Sequence, residues 1–173
     1  MERERNIVAK FHPNPLHRRS FLIASLWVTG LLASASATHP TGKPTKILFV
    51  CQAGTAKSPI AREILKQRAK ERGIRVDVLS RGIVVEDHVS PQLKANLRAD
   101  GIDTAIEPAV QLTYPDWATA DILVNFNPLP ASVKTRDIRD WTDVPSVNDD
   151  YANALAIMKQ RIDALLTEIA DRK

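Results

Sequence analysis

The chain has 173 residues, 44% of them hydrophobic and 25% charged, the size and make-up of one globular domain with a substantial core. Its formal charge of +4 is concentrated at the N-terminus: residues 1–37 hold five basic and two acidic residues, and without them the charge is +1. A nearly neutral domain with no run of Lys and Arg interleaved with aromatics excludes the electrostatic footprint of a nucleic-acid binder.

In chain order, a basic stretch ending His17-Arg18-Arg19-Ser20 leads into an apolar run from Phe21 to Leu32 and then Ala35-Ser36-Ala37, a small-x-small cleavage pattern. Residues 1–37 therefore read as a cleavable signal peptide. The apolar run is short and interrupted by Ser25, Thr29 and Gly30, which argues against a permanent membrane anchor. Arg18-Arg19 followed by Ser20-Phe21-Leu22 resembles the twin-arginine export signal, with an ordinary secretory signal as the alternative. Either route engages export machinery and predicts a periplasmic or secreted protein. Residues 38–45, with two prolines and a glycine, are expected to be a tether, and the domain is expected to span 46–173.

Ile47-Leu48-Phe49-Val50 is a continuous apolar run, the pattern of a central parallel strand covered on both faces. After a loop from Cys51 to Lys57, Ser58-Pro59 reads as the N-cap and first position of a helix with Ile60, Ala61, Ile64, Leu65 and Ala69 on one face and Gly73 as its stop. Val76–Ser80 is a second strand, ended by Arg81-Gly82. Ser90-Pro91 opens a helix carrying Leu93 and Leu97, with Gly101 as its stop. A short helical turn is expected near Asp116-Trp117-Ala118, a third buried strand over Ile122–Phe126, and a fourth strand near Arg136–Arg139. The chain ends in a long helix with Tyr151, Leu155, Met158, Ile162, Leu165, Leu166 and Ile169 on one stripe and Asp149 and Asp150 at its positive end. Alternating strands and helices imply an α/β fold with a parallel sheet, whose ligands bind at the carboxyl ends of the strands. Cys51 lies at such an end.

The loop Cys51-Gln52-Ala53-Gly54-Thr55-Ala56-Lys57-Ser58 delivers backbone N–H groups to a helix N-terminus, where unpaired donors and the dipole favour an anion such as phosphate. The same field favours a thiolate, the form in which cysteine is a nucleophile. As the only cysteine, Cys51 has no intramolecular disulfide to make. It is either an inert core thiol or a working one.

A strand ending in Val-Cys, five intervening residues, a cation and then Ser-Pro resembles the signature of the low-molecular-weight protein tyrosine phosphatases and of the arsenate reductases that share their fold. Ser80-Arg81-Gly82 resembles that family's Ser-Ala-Gly after the second strand, and Ala120-Asp121-Ile122-Leu123-Val124 resembles its third-strand segment. The resemblance covers about residues 46–172. It implies a three-layer α/β fold with a four-stranded parallel twisted sheet and helices on both faces, the phosphotyrosine phosphatase I-like architecture. It also implies a cysteinyl-phosphate mechanism in which Cys51 attacks phosphorus, Ser58 stabilises the thiolate, and Lys57 with the backbone of Gln52, Ala53, Gly54, Thr55 and Ala56 holds the oxyanion. Substrates would be a phosphorylated protein or a small phosphate ester, with no metal or organic cofactor.

The chain departs from the family at three places. Lys57 replaces an arginine, a point charge in place of a bidentate fork. Ala53-Gly54 replaces Gly-Asn, and Gly54 can take the left-handed conformation that asparagine fills there. The family's Asp-Pro general acid is missing from Trp141-Thr142-Asp143-Val144-Pro145, so Asp143 is the nearest acid, with Asp149 and Asp150 as alternatives. Arg81, at the carboxyl end of the neighbouring strand, is a candidate to lend the guanidinium that Lys57 lacks, with a solvent-facing arginine as the alternative. A second reading follows, a weak or inactive pseudophosphatase that binds oxyanions or a phosphorylated partner.

Other readings fit less well. The alignment of Lys57-Ser58 with a nucleotide P-loop lacks both glycines, which are Cys51 and Ala56 here. Arsenate reduction through a disulfide relay needs further cysteines. His39 and His88 have no metal-ligand spacing.

Overall fold

The computed structural model describes residues 42–105 and 107–172. The expected signal peptide and residues 38–41 of the expected tether lie outside the described residues. Strand β1, Thr45–Cys51, begins one residue inside that tether. It is followed by helix α1 (Lys57–Glu71), strand β2 (Val76–Gly82), helices α2 (Pro91–Ala99) and α3 (Tyr114–Thr119), strands β3 (Ile122–Asn125) and β4 (Ile138–Asp140), and helix α4 (Tyr151–Asp171).

The four strands form one parallel sheet in the order β2-β1-β3-β4. The apolar run of β1 lies at its centre because that strand must be covered on both faces. Ile47, Phe49 and Cys51 belong to the core shared with α1, α2 and α4, whereas Leu48 and Val50 join Leu123 and Val133 on the face covered by Trp117 of α3. The three layers are thus written in the alternation of one strand. β4 is a three-residue edge strand, and the exposed side chain of Ile138 shows why its apolar signal is faint.

Two helix caps follow directly from side-chain chemistry. Ser90 accepts a hydrogen bond from the Leu93 N–H at the start of α2, with Pro91 in the first turn. Asp150 accepts from the Asn153 N–H at the start of α4, and each such cap is worth about 1 kcal/mol. The stripe on α4 is buried from Leu155 to Ile169, which holds that helix against α1. Phe49, Phe126 and Trp141 form an aromatic cluster with centroid separations of 5.7 to 6.2 Å. It packs beneath the carboxyl end of the sheet and anchors the loop that follows β4.

One expectation needs correction at α1. Ser58 is not its N-cap: the helix starts at Lys57 with Ala56 at the cap position and no side-chain cap bond. Ser58 lies in the first helical turn, where its hydroxyl is free to turn toward the end of β1.

Candidate active site

β1 ends with the Cys51 side chain, 3% exposed, at the floor of a loop that climbs to α1. The carbonyls of Cys51, Gln52 and Ala53 accept hydrogen bonds from the N–H groups of Ile83, Val84 and Glu86 at 3.0, 2.9 and 3.2 Å. This outer rail turns the carbonyls away from the loop's concave side. Gln52 donates its N–H to Asn127 Oδ1 at 2.9 Å. Among the described residues, the N–H groups of Ala53 through Ser58 donate to no acceptor of the chain. A run of unpaired amides at the start of a helix is an anion cradle built from backbone alone.

Gly54 makes the curvature possible. Its φ is +73°, and a Cβ there would lie 2.9 Å from the Gly82 N atom. A Cβ on Gly82 would in turn meet the Ala53 carbonyl carbon at 2.9 Å. Two bare backbones therefore pass each other, one from the loop and one from the end of β2, and neither position admits a side chain without movement.

Among the described residues, the thiol has one side-chain hydrogen-bond partner. Ser58 Oγ lies 3.0 Å from Cys51 Sγ and 3.2 Å from the Arg81 carbonyl oxygen, and both Cys51 and Ser58 are buried. The serine has one proton for two acceptors. With a neutral thiol, Cys51 donates to Ser58 and Ser58 donates to the Arg81 carbonyl. With a thiolate, Ser58 swings its proton to sulfur.

Lys57 is half-buried beside this pair. Its Nζ donates to the carbonyls of Val144 at 3.0 Å and Phe126 at 3.4 Å, and it sits 5.7 Å from the centroid of the Phe126 ring. Burial pushes its pKa down, opposed by the charges of Cys51 and Asp143. An ammonium has three N–H donors, so two directed at carbonyls leave one for a bound oxyanion. Lys57 also ties the loop after β4 to the cradle, a structural duty that spacing did not reveal.

Asp143 stands on that loop, between buried Trp141 and Val144. Its carboxylate is exposed and receives both Nη groups of Arg161, at 2.7 and 2.5 Å. The hydrogen bonds from Arg161 hold its pKa below the usual carboxylate range against the opposing effect of desolvation, and Lys57 adds to the lowering. Asp150 serves as the α4 cap, and Asp149 is exposed at the same helix start.

Arg81 does not reach the cradle. Strand alternation sends its side chain to the opposite face of the sheet from Ser80, where Nε and Nη2 each lie 2.9 Å from Asp116 Oδ1 at the start of α3. Asp116 in turn accepts from the N–H and hydroxyl of Thr113. Ser80, on the near face, accepts from the buried Arg62 Nη1 at 2.7 Å and fixes α1 to β2.

Sequence reasoning missed Asn127, Arg161 and the carbonyl of Val144. Asn127 follows β3 at the sheet's carboxyl end, a position that could have marked it. The other two come near the loop only through tertiary packing. The described residues hold no group of three or more His, Cys, Asp or Glu side chains placed to bind a metal ion.

No curated protein is a significant match to this sequence. Among solved structures, YfkJ from Bacillus subtilis is similar at 21% identity with a TM-score of 0.66, over 78% of this chain and 99% of that one. An arsenate reductase in the phosphate binding state is similar at 18% identity and 0.60, over 72% and 98%. SP-PTP, a low molecular weight protein tyrosine phosphatase from Streptococcus pyogenes, is similar at 17% identity and 0.58, over 72% and 92%. At these identities the likeness shows a common fold. The family described as low molecular weight phosphotyrosine protein phosphatase matches residues 46–172, from the second residue of β1 to just past the end of α4. With that match spanning every element that shapes the cradle, the chain belongs to the low molecular weight phosphotyrosine protein phosphatase family.

Proposed function

We propose that this member of the family is an exported phosphomonoesterase that works through a cysteinyl-phosphate intermediate. The observation that carries the reading is the cradle of unpaired amides from Ala53 to Ser58 around a cysteine whose sulfur lies 3.0 Å from a serine hydroxyl. Donors fixed in place before the anion arrives stabilise charge that develops in the transition state without reorganising.

In the proposed reaction the Cys51 thiolate attacks phosphorus, the S–P bond forms, and the bond to the leaving oxygen breaks. Asp143 gives that oxygen a proton. Water then attacks the phosphocysteine, the S–P bond breaks, and inorganic phosphate leaves with the thiolate regenerated. The cradle amides and the remaining N–H of Lys57 hold the equatorial oxygens, and Ser58 donates to sulfur whenever it carries charge. The substrate is a phosphorylated protein or a small phosphate ester. The twin-arginine-like N-terminus supports export to the periplasm or beyond.

Two observations favour the second reading, an oxyanion-binding pseudophosphatase. Lys57 directs two of its donors to backbone carbonyls, and Asp143 is held by Arg161. The two readings part in a single comparison: mature protein and Cys51→Ser are incubated with p-nitrophenyl phosphate, and phosphate binding is measured by calorimetry. The enzyme reading expects wild-type turnover that the variant lacks, with phosphate bound by both. Equal, negligible hydrolysis with phosphate still bound would establish the pseudophosphatase instead.

A further inference from the structure

Asp143 and Arg161 form a closed pair. Both Nη groups of the guanidinium point at both carboxylate oxygens, and its carbon lies 5.8 Å from the centroid of the buried Trp141 ring. Trp141 and Val144 anchor the two sides of the loop, so the pair is fixed at its base while its oxygens meet solvent. The charged groups facing Asp143 are Arg161 from α4, Lys57 from α1 and Asp140 from the end of β4. A carboxylate gripped bidentately is acceptor-only and carries no proton to give.

We propose that Arg161 is a positioning residue for the phosphatase reaction: it holds Asp143 in a resting pose, and this pair opens before Asp143 gives its proton to the leaving oxygen. The inference rests on the reading of Asp143 as the general acid. Opening is feasible in each turnover because the side chains are 30% and 65% exposed, and ion pairs with this much water around them are weak. A substrate whose leaving group needs no proton is turned over without opening the pair. One that leaves as a poor anion depends on it.

The test compares wild type with Arg161→Gln on phenyl phosphate and on p-nitrophenyl phosphate across pH. Arg161→Gln is expected to raise kcat for phenyl phosphate severalfold near pH 5, because releasing the carboxylate increases the protonated fraction of the acid. The descending limb of the profile moves to higher pH, and p-nitrophenyl phosphate changes little. An unmoved limb, or an equal change on both substrates, overturns the proposal. Arg161→Lys, which retains charge without the fork, should lie between the two and guards against a folding defect in the glutamine variant. The carboxyl carbon of Asp143, followed by NMR, should titrate closer to the free value of about 3.9 in Arg161→Gln, and no change there also overturns the proposal. The acid assignment fails separately: if Asp143→Asn turns over phenyl phosphate as fast as wild type, Asp143 is not the donor, whatever Arg161 does.

Discussion

At the scale of single residues, the nucleophilic role proposed for Cys51 turns on where one proton sits. Ser58 lies between Sγ and the Arg81 carbonyl, and only the thiolate state draws its proton to sulfur. A hydrogen bond to a charged group contributes about 1.5–3 kcal/mol, so Ser58→Ala should slow p-nitrophenyl phosphate hydrolysis by roughly 10- to 100-fold. The melting temperature should change less in proportion, and an unchanged rate would show that sulfur takes its stabilisation from the amides alone. Lys57 poses the complementary question. An arginine in its place has five donors in a planar fork, enough to satisfy the Val144 and Phe126 carbonyls and still present a pair to phosphate. Lys57→Arg is therefore expected to tighten phosphate binding about tenfold, the equivalent of about 1.4 kcal/mol. Calorimetry that finds no gain would mean the carbonyls, rather than the anion, decide how a cation at this position is used.

At the scale of elements, the loop from Cys51 to Lys57 is held open by the crossing of two glycines. Gly54→Ala combines a positive φ with a Cβ 2.9 Å from backbone, and backbone has no rotamer by which to yield. The variant should lose about 1–3 kcal/mol of stability and, more tellingly, its phosphate affinity, measured by denaturant unfolding and calorimetry. Much of this architecture could be read from the sequence. The apolar run of β1, the Ser90-Pro91 start of α2 and the α4 stripe are local patterns whose physics acts within a few residues. Gly54 was legible through the family resemblance instead, since the asparagine it replaces and a glycine share a backbone conformation. The role of Ser58 as a helix cap was misread, because Ser-Pro at a helix start has the same local pattern whether the hydroxyl turns to the helix or to a thiol. Of the two readings of Arg81, lending a guanidinium to the loop or facing solvent, neither anticipates its pairing with Asp116, which lies 35 residues away in sequence. The links from Lys57 to Val144, 87 residues apart, and from Asp143 to Arg161, 18 apart, have no periodic signature. The first exists only once the loop after β4 folds over the start of α1, and the second only once α4 packs back beside that loop.

For the molecule as a whole, acid and anion are the two levers on stability. Burial is the largest single influence on Asp116 and would raise its pKa, but the hydrogen bonds from Thr113 and Arg81 together outweigh it, so its net shift is downward. Asp137 and Glu168, held mainly by Arg139, shift the same way. A lowered folded pKa means these groups contribute stability above the unfolded carboxylate values of about 4, and that contribution is lost as pH falls through their folded values. Thermal stability should thus be flat from neutral pH down to about 5 and then fall, with Asp116→Asn showing a shallower descent. Phosphate is expected to act in the other direction, because only the folded chain has a cradle. At a free concentration 100 times its Kd, phosphate should add about 2.7 kcal/mol of stability and raise Tm by roughly 10 °C at the 2–8 °C per kcal/mol usual for domains near this size. The rise should survive in Cys51→Ser, which keeps the amides, and vanish in Gly54→Ala, which distorts them. A calorimetric scan with no phosphate shift in wild type would remove the oxyanion site itself and with it both the phosphatase and the pseudophosphatase readings. A shift that persists in Gly54→Ala would place the bound anion somewhere other than this loop.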